Sequence, residues 1–177
     1  MRLFVAIDPP APVCDALASV QGDLSVGRLS DPETFHLTLA FLGEVDPDRA
    51  EEAHAELEGI AMPGFDLALS GVFALSEAIV AAGVADATAL ADLHGRVLRA
   101  LRRAGVTLDR RRFRPHVTLA RLPRRISGSE VEALRLFLAR NGGFRSDRFT
   151  VRSFALYAST LHPDGALHEP LAHYPLG

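Results

Sequence analysis

Hydrophobic positions along the chain recur in two rhythms. Residues 2–7, RLFVAI, are an apolar run that predicts a buried strand. Asp8 as N-cap and Pro9 at the first helical position then predict a helix with Val13, Leu17, Val20 and Leu24 inward. A second strand lies in TFHLTLAFLG, residues 34–43. Asp46-Pro47 opens a helix with Ala50, Ala53, Leu57 and Ile60 on one face, stopped near Pro63-Gly64. FDLALSGVFAL, residues 65–75, reads as a strand. So does AIVAAGV, residues 78–84, followed by Asp86 as cap and a helix whose stripe is Leu90, Leu93, Val97 and Leu101, ended by Gly105. Its other face carries Arg96, Arg99 and Arg103. A strand in FRPHVTLARL, residues 113–122, precedes a helix from Ser127 with Glu130 as capping-box partner, Val131, Leu134 and Leu138 inward, and Asn141-Gly142-Gly143 as stop. DRFTVRSFALYAS, residues 147–159, predicts one long last strand, and HEPLAHYPL in the tail one more edge strand.

Each half therefore reads strand, helix, His-x-Thr strand, helix, strand. Ile7 lies 29 residues before His36 and Val84 lies 32 before His116; Phe65 lies 29 after His36 and Phe149 lies 33 after His116. This duplication predicts one domain over 1–177 with two pseudo-symmetric lobes, halves 1–76 and 77–177, facing a common cleft. A two-fold axis brings the equivalent strand of each lobe to opposite walls of that cleft.

Seven His and seven Thr in 177 positions predict roughly 0.3 His-x-Thr triplets by chance, yet two occur, at His36/Thr38 and His116/Thr118, in the same slot of the repeat. In a strand, residues i and i+2 share a face, so each His and Thr point together while Leu37 or Val117 points into the core. Two imidazoles across a cleft suit a general base and a general acid, because their pKa lies near neutrality. A phosphorus with attacking and leaving oxygens on opposite sides fits that arrangement. The two hydroxyls then donate to the non-bridging oxygens, where charge builds up. The pattern predicts phosphodiester cleavage without a metal or other cofactor.

Composition narrows the classes. At 48% hydrophobic residues the chain buries a core large enough to fold alone. The apolar opening is too short for a secretory leader and no stretch is long enough to span a bilayer, which predicts a cytoplasmic protein with no membrane partner. Cys14, the single cysteine, reads as an apolar filler. Net charge is −3, but residues 1–60 hold twelve acids and three basic residues, whereas residues 110–125 hold seven arginines and no acid. That run brackets the second His-x-Thr strand and predicts an anion-attracting mouth on its side. All 19 basic residues are Arg. Without lysine, a Walker-type phosphate loop and covalent chemistry on a lysine amine are both excluded.

The pair HLTL and HVTL, the opening RLFVAID, the run FHLTLAFLGEV and YAS after the final strand resemble the two-histidine phosphoesterase superfamily. More narrowly, they are similar to the bacterial RNA 2′,3′-cyclic phosphodiesterases, also described as 2′-5′ RNA ligase-like proteins. The resemblance covers essentially the whole chain. It implies a bilobal α+β fold with mostly antiparallel sheets around a cleft, and hydrolysis of a terminal 2′,3′-cyclic phosphate to a 2′-phosphate. It also implies His36 as proton donor, His116 as proton acceptor, and Thr38 and Thr118 as phosphate binders. Which histidine takes which role follows family convention alone. Its partners are then RNA ends or nucleotides carrying the cyclic phosphate, acted on by a monomer.

Arg121 lies five residues after His116, where the resemblance places a basic residue, but simple alternation puts it on the opposite face, so a bulge or strand end is required. Arg114 shares the parity of His116 and competes for the phosphate. Phe41, Phe113 and Tyr157 are candidates to stack on a base. His54, His94, His162, His168 and His173 lack a matching threonine and read as surface or structural. Two other functions remain open: a 2′-5′ RNA ligase, the same site run backwards, and a non-catalytic module that only holds an RNA end or nucleotide.

Overall fold

The computed structural model describes residues 1–109, 112–162 and 165–177; Arg110 and Arg111 of the arginine run lie outside the described residues. In chain order the elements are β1 (Arg2–Ile7), α1 (Ala11–Gln21), β2 (Arg28–Leu29), β3 (Leu37–Glu44), α2 (Pro47–Glu58), β4 (Phe65–Leu67), β5 (Leu69–Ser76), β6 (Ile79–Val84), α3 (Thr88–Arg103), β7 (His116–Arg121), α4 (Gly128–Asn141), β8 (Phe149–Val151), β9 (Ser153–His162) and β10 (Gly165–Pro175). A short 3₁₀ turn at Pro32–Thr34 leads into β3. The fold is α+β, and every strand pair is antiparallel.

The strand order is β10-β9-β1-β3-β7-β6-β5, with β2 added on β7. The two sheets expected to face one another are thus continuous, joined where Leu37 of β3 pairs with Val117 of β7. The order also exchanges strands between the chain halves. β5 pairs with β6 on the His116 side, and β9 and β10 pair outward from β1 on the His36 side. Residues from the last quarter of the chain therefore become neighbours of its first strand.

Several predicted elements bend or shift. Helix α1 starts at Ala11, with extended Pro10 as its N-cap, because a proline holds the residue before it out of helical conformation and Pro9-Pro10 pushes the start onward. Asp8, expected to cap it, instead accepts a hydrogen bond from Tyr157. The strand expected over 65–75 breaks into β4 and β5, and the one over 147–159 into β8 and β9. The short pieces β4 and β8 pair with each other in a separate two-stranded sheet, where Thr150 Oγ1 donates to Asp66 at 2.8 Å. On α4 the buried residue is Phe137, with Leu134 and Leu138 half-buried and Val131 50% exposed, so the inward stripe lies rotated from the expected one. The Ser127–Glu130 capping box forms as expected, and the tail supplies edge strand β10.

β1 is apolar from Leu3 to Ile7 because both its faces are covered there. Leu3, Val5 and Ile7 enter the main core; Phe4 and Ala6 form a small second cluster with Ala155 and Tyr157 on the other face. Among the described residues no helix is long and apolar enough to cross a membrane.

Candidate active site

The Leu37–Val117 pair lies between the two motifs. Carried one residue either way, its antiparallel register sets His36 across from Thr118 and Thr38 across from His116. Leu37, Leu39, Val117 and Leu119 are buried, while the four polar residues between and beside them are half-buried on the opposite face. His116 opens β7; His36 stands one residue before β3, at the exit of the 3₁₀ turn, instead of inside the strand. Neither threonine hydroxyl is hydrogen-bonded within the described residues, so both remain available to an incoming oxygen.

Each imidazole is anchored in the same way. His36 Nδ1 lies 2.7 Å from the Thr34 carbonyl oxygen, and His116 Nδ1 lies 2.6 Å from that of Arg114, in both cases two residues back along the chain. A carbonyl only accepts, so each Nδ1 carries the hydrogen and each Nε2 is left for proton transfer. Nothing in the sequence marks Thr34 or Arg114 for this role, which falls to their backbones.

After each threonine the strand bulges. Successive β1 residues Val5 and Ala6 face Ala40 and Thr38, leaving Leu39 as the extra residue of β3; successive β6 residues Val80 and Ala81 face Ala120 and Thr118, leaving Leu119 as the extra residue of β7. A bulge resets strand parity. Phe41 and Arg121 thereby return to the face of the His-x-Thr residues, which resolves the parity conflict at Arg121. A helix side chain satisfies each bulge carbonyl: Gln21, 4% exposed, donates to Leu119 O at 2.7 Å from α1, and His94 donates to Leu39 O at 2.9 Å from α3. His94 is thus structural, as expected, and Phe113 stacks on it at 3.8 Å and 5°.

The three aromatic candidates differ in their surroundings. One face of Phe113 is covered by His94, and the ring packs against the core. Tyr157, 8% exposed, stacks on Phe4 at 5.1 Å and gives its hydroxyl hydrogen to Asp8 at 2.5 Å; burial and that carboxylate push its pKa well up. Phe41 is 62% exposed and lies 6.0 Å from Phe4, leaving its ring open to a ligand. Arg121 is exposed with no ion-pair partner among the described residues, whereas Arg114 spends an Nη1 hydrogen on Leu75 O at 3.2 Å.

Burial pushes the pKa of His36 below its ordinary value. The Thr34 carbonyl and Asp8 oppose the shift, and His116 and Arg121 reinforce it. The ring borders a cavity of ≈ 530 Å³ that also touches Phe4, Asp8, Glu33, Tyr157 and His168. His168, read from sequence as a surface or structural residue, comes within 5.2 Å of His36, ring centre to ring centre, because β10 folds back along β9. Cys14 also lines this cavity; burial, Asp15 and Asp8 push its thiol up, which suits an inert filler.

The chain is similar to the RNA 2′,3′-cyclic phosphodiesterase of Geobacillus stearothermophilus, 32% identical over 184 residues, covering 98% of this chain but 56% of that relative's length. It is similar to the RNA 2′,3′-cyclic phosphodiesterase of Archaeoglobus fulgidus, 29% identical over 182 residues, with 97% and 98% of the two chains covered. It superposes on Escherichia coli LigT complexed with 3′-AMP with a TM-score of 0.79 at 28% identity, covering 99% of this chain and 96% of that one. The family model of the 2′-5′ RNA ligase superfamily matches residues 9–162, and the chain belongs to that superfamily.

Proposed function

We propose that the protein hydrolyses the terminal 2′,3′-cyclic phosphate of RNA to a 2′-phosphomonoester, with His36 and His116 as the proton-transfer pair. The observation that carries this reading is the matched anchoring of the two imidazoles, each with Nδ1 held on a carbonyl and Nε2 left free. The names of the relatives and the nucleotide held by the superposed LigT support the substrate class.

In this mechanism His116 Nε2 takes a proton from water as the water oxygen bonds to phosphorus. The bond from phosphorus to O3′ breaks, and His36 Nε2 gives its proton to that departing oxygen. The products are a 2′-phosphate and a free 3′ hydroxyl, and exchange with solvent resets both rings. Thr38, Thr118 and the Arg121 guanidinium stabilise charge on the non-bridging oxygens. Exposed Arg112, Arg124 and Arg125, in the segments flanking β7, extend the positive charge, so the RNA backbone enters over the His116 side.

Ligation uses the same site with an RNA 5′ hydroxyl in place of water: its oxygen bonds to phosphorus as the bond to O3′ breaks, leaving a 2′-5′ linkage. Water at roughly 55 M outcompetes that hydroxyl unless the site aligns it, so ligation is the weaker activity. The deciding experiment incubates the protein with cyclic-phosphate-ended RNA and locates the product phosphate. A 2′-phosphomonoester is expected; no turnover by folded protein, or a 3′-phosphate product, overturns the reading.

A further inference from the structure

Phe4, His36 and His168 form a closed triangle of rings, with centroids 4.9 Å (Phe4–His36), 5.2 Å (His36–His168) and 4.8 Å (Phe4–His168) apart. His168 comes from edge strand β10 and meets both neighbours nearly edge-on, at 75° to Phe4 and 85° to His36. Each ring fills space beside the His36 imidazole that water would otherwise occupy. His168 Nδ1 is itself buried without a hydrogen-bond partner. A proton there would be an unpaired buried donor, so that nitrogen stays bare and the ring stays neutral.

We propose that His168 is a positioning residue: as a neutral ring it completes the water-excluding wall around His36, and it leaves the site's proton to His36. This rests on reading His36 as one of the two proton-transfer groups. The charged and titratable groups that act on His36 are Asp8 at the end of β1 and His116 and Arg121 on β7; Glu33, Cys14, Asp15 and the Tyr157 hydroxyl, which Asp8 holds, line the same cavity. Burial is the largest influence on His36. Burial and the nearby His36 both push His168 down as well; the Leu167 backbone works the other way without reaching hydrogen-bond geometry at Nδ1. A wall residue that resists protonation lowers the proton affinity of its neighbour without competing for the proton.

The test titrates the His36 Cε1 proton resonance, assigned by its loss in His36→Asn, in the wild type, His168→Ala and His168→Phe, and follows kcat/KM against pH on cyclic-ended RNA. His168→Ala admits water and is expected to raise the His36 midpoint by roughly half to one pH unit, with the matching limb of the rate profile moving the same way. His168→Phe keeps the wall and is expected to hold the midpoint within about 0.2 unit. Should the Ala variant fail to fold, His168→Asn, which shortens the wall, is titrated in its place with the same expected rise. An unmoved midpoint in a folded Ala or Asn variant overturns the proposal, as does a Phe variant that moves as far as Ala. The titration needs no turnover. Absence of hydrolysis therefore counts against the phosphodiesterase reading alone, while the midpoint still decides the role of His168.

Discussion

Arg121 and Thr118 face the same side of β7 although they stand three positions apart, an odd spacing, because the bulge at Leu119 absorbs one residue of the alternation. The guanidinium is thereby aimed where the phosphate is expected, while Arg114 is tethered to Leu75 O. Removing a charged hydrogen bond of about 1.5–3 kcal/mol predicts that Arg121→Ala lowers kcat/KM roughly 10- to 100-fold. Arg114→Ala changes it by less than about threefold, since an exposed charge already tethered to Leu75 O contributes little. Steady-state kinetics on a cyclic-ended oligomer checks both; a larger effect at Arg114 would reverse the assignment.

Replacing either His36 or His116 by Ala is expected to lower turnover by roughly 10² to 10⁴, the range for losing one positioned acid or base. Because the two act on one transition state, the double variant should fall well short of the product of the single losses. Turnover should persist in EDTA, since imidazoles and hydroxyls carry the proposed proton transfers. Chelation that abolishes activity would sink the metal-free mechanism.

The His-x-Thr motifs were legible because a period of two needs no knowledge of neighbouring strands. Arg121 was ambiguous for the opposite reason: its side depends on a bulge set by pairing with β6 and by Gln21 reaching Leu119 O from 98 residues away. Asp8 looked like a helix cap, and only the fold brings Tyr157 to it across 149 positions. His168 had no local signature because β9 and β10, from the end of the chain, line up beside β1. The bends that separate β4 from β5 and β8 from β9 escaped periodicity because continuous apolar patterning reads the same whether or not a strand changes partners.

Phe41 and Phe113 should separate cleanly. Phe41 is exposed on the motif face, so Phe41→Ala is expected to weaken substrate binding by the loss of one base stack, about 1–3 kcal/mol, and leave stability nearly unchanged. Phe113 buttresses His94, whose Nδ1 holds the Leu39 bulge. Phe113→Ala should instead lower the melting temperature, with a destabilisation of about 2–4 kcal/mol. Thermal melts run beside KM measurements read both; a KM effect confined to Phe113 would contradict the geometry.

The rate profile should be bell-shaped, with one limb displaced by the buried His36. As the proton donor His36 must be charged, so activity is lost as pH rises through its pKa. Burial holds that pKa down, which puts the alkaline limb of kcat/KM below the ordinary histidine value of about 6.5. Should the displaced limb prove to be the acidic one, His36 is the base and the two roles exchange.

Stability should also fall on mild acidification. His36, His94 and His168 all have pKa values pushed below the ordinary one, by burial first in each case. Between their folded values and about 6.5 the unfolded chain binds more protons than the native protein, so stability rises with pH across that window. Their stabilising contribution is complete above about 7 and is lost as pH drops through the folded values. Glu130 and Glu132, held below the usual carboxylate range by hydrogen bonds to Ser127 and Arg135, act in the same direction, but only from about pH 4 downward. Melting temperatures between pH 7.5 and 5 should therefore decline, ahead of the loss from Glu130 and Glu132. His94→Gln, whose amide can still donate toward Leu39 O, should flatten part of that decline; a melting temperature independent of pH over this range would show that the three rings protonate as freely in the fold as outside it.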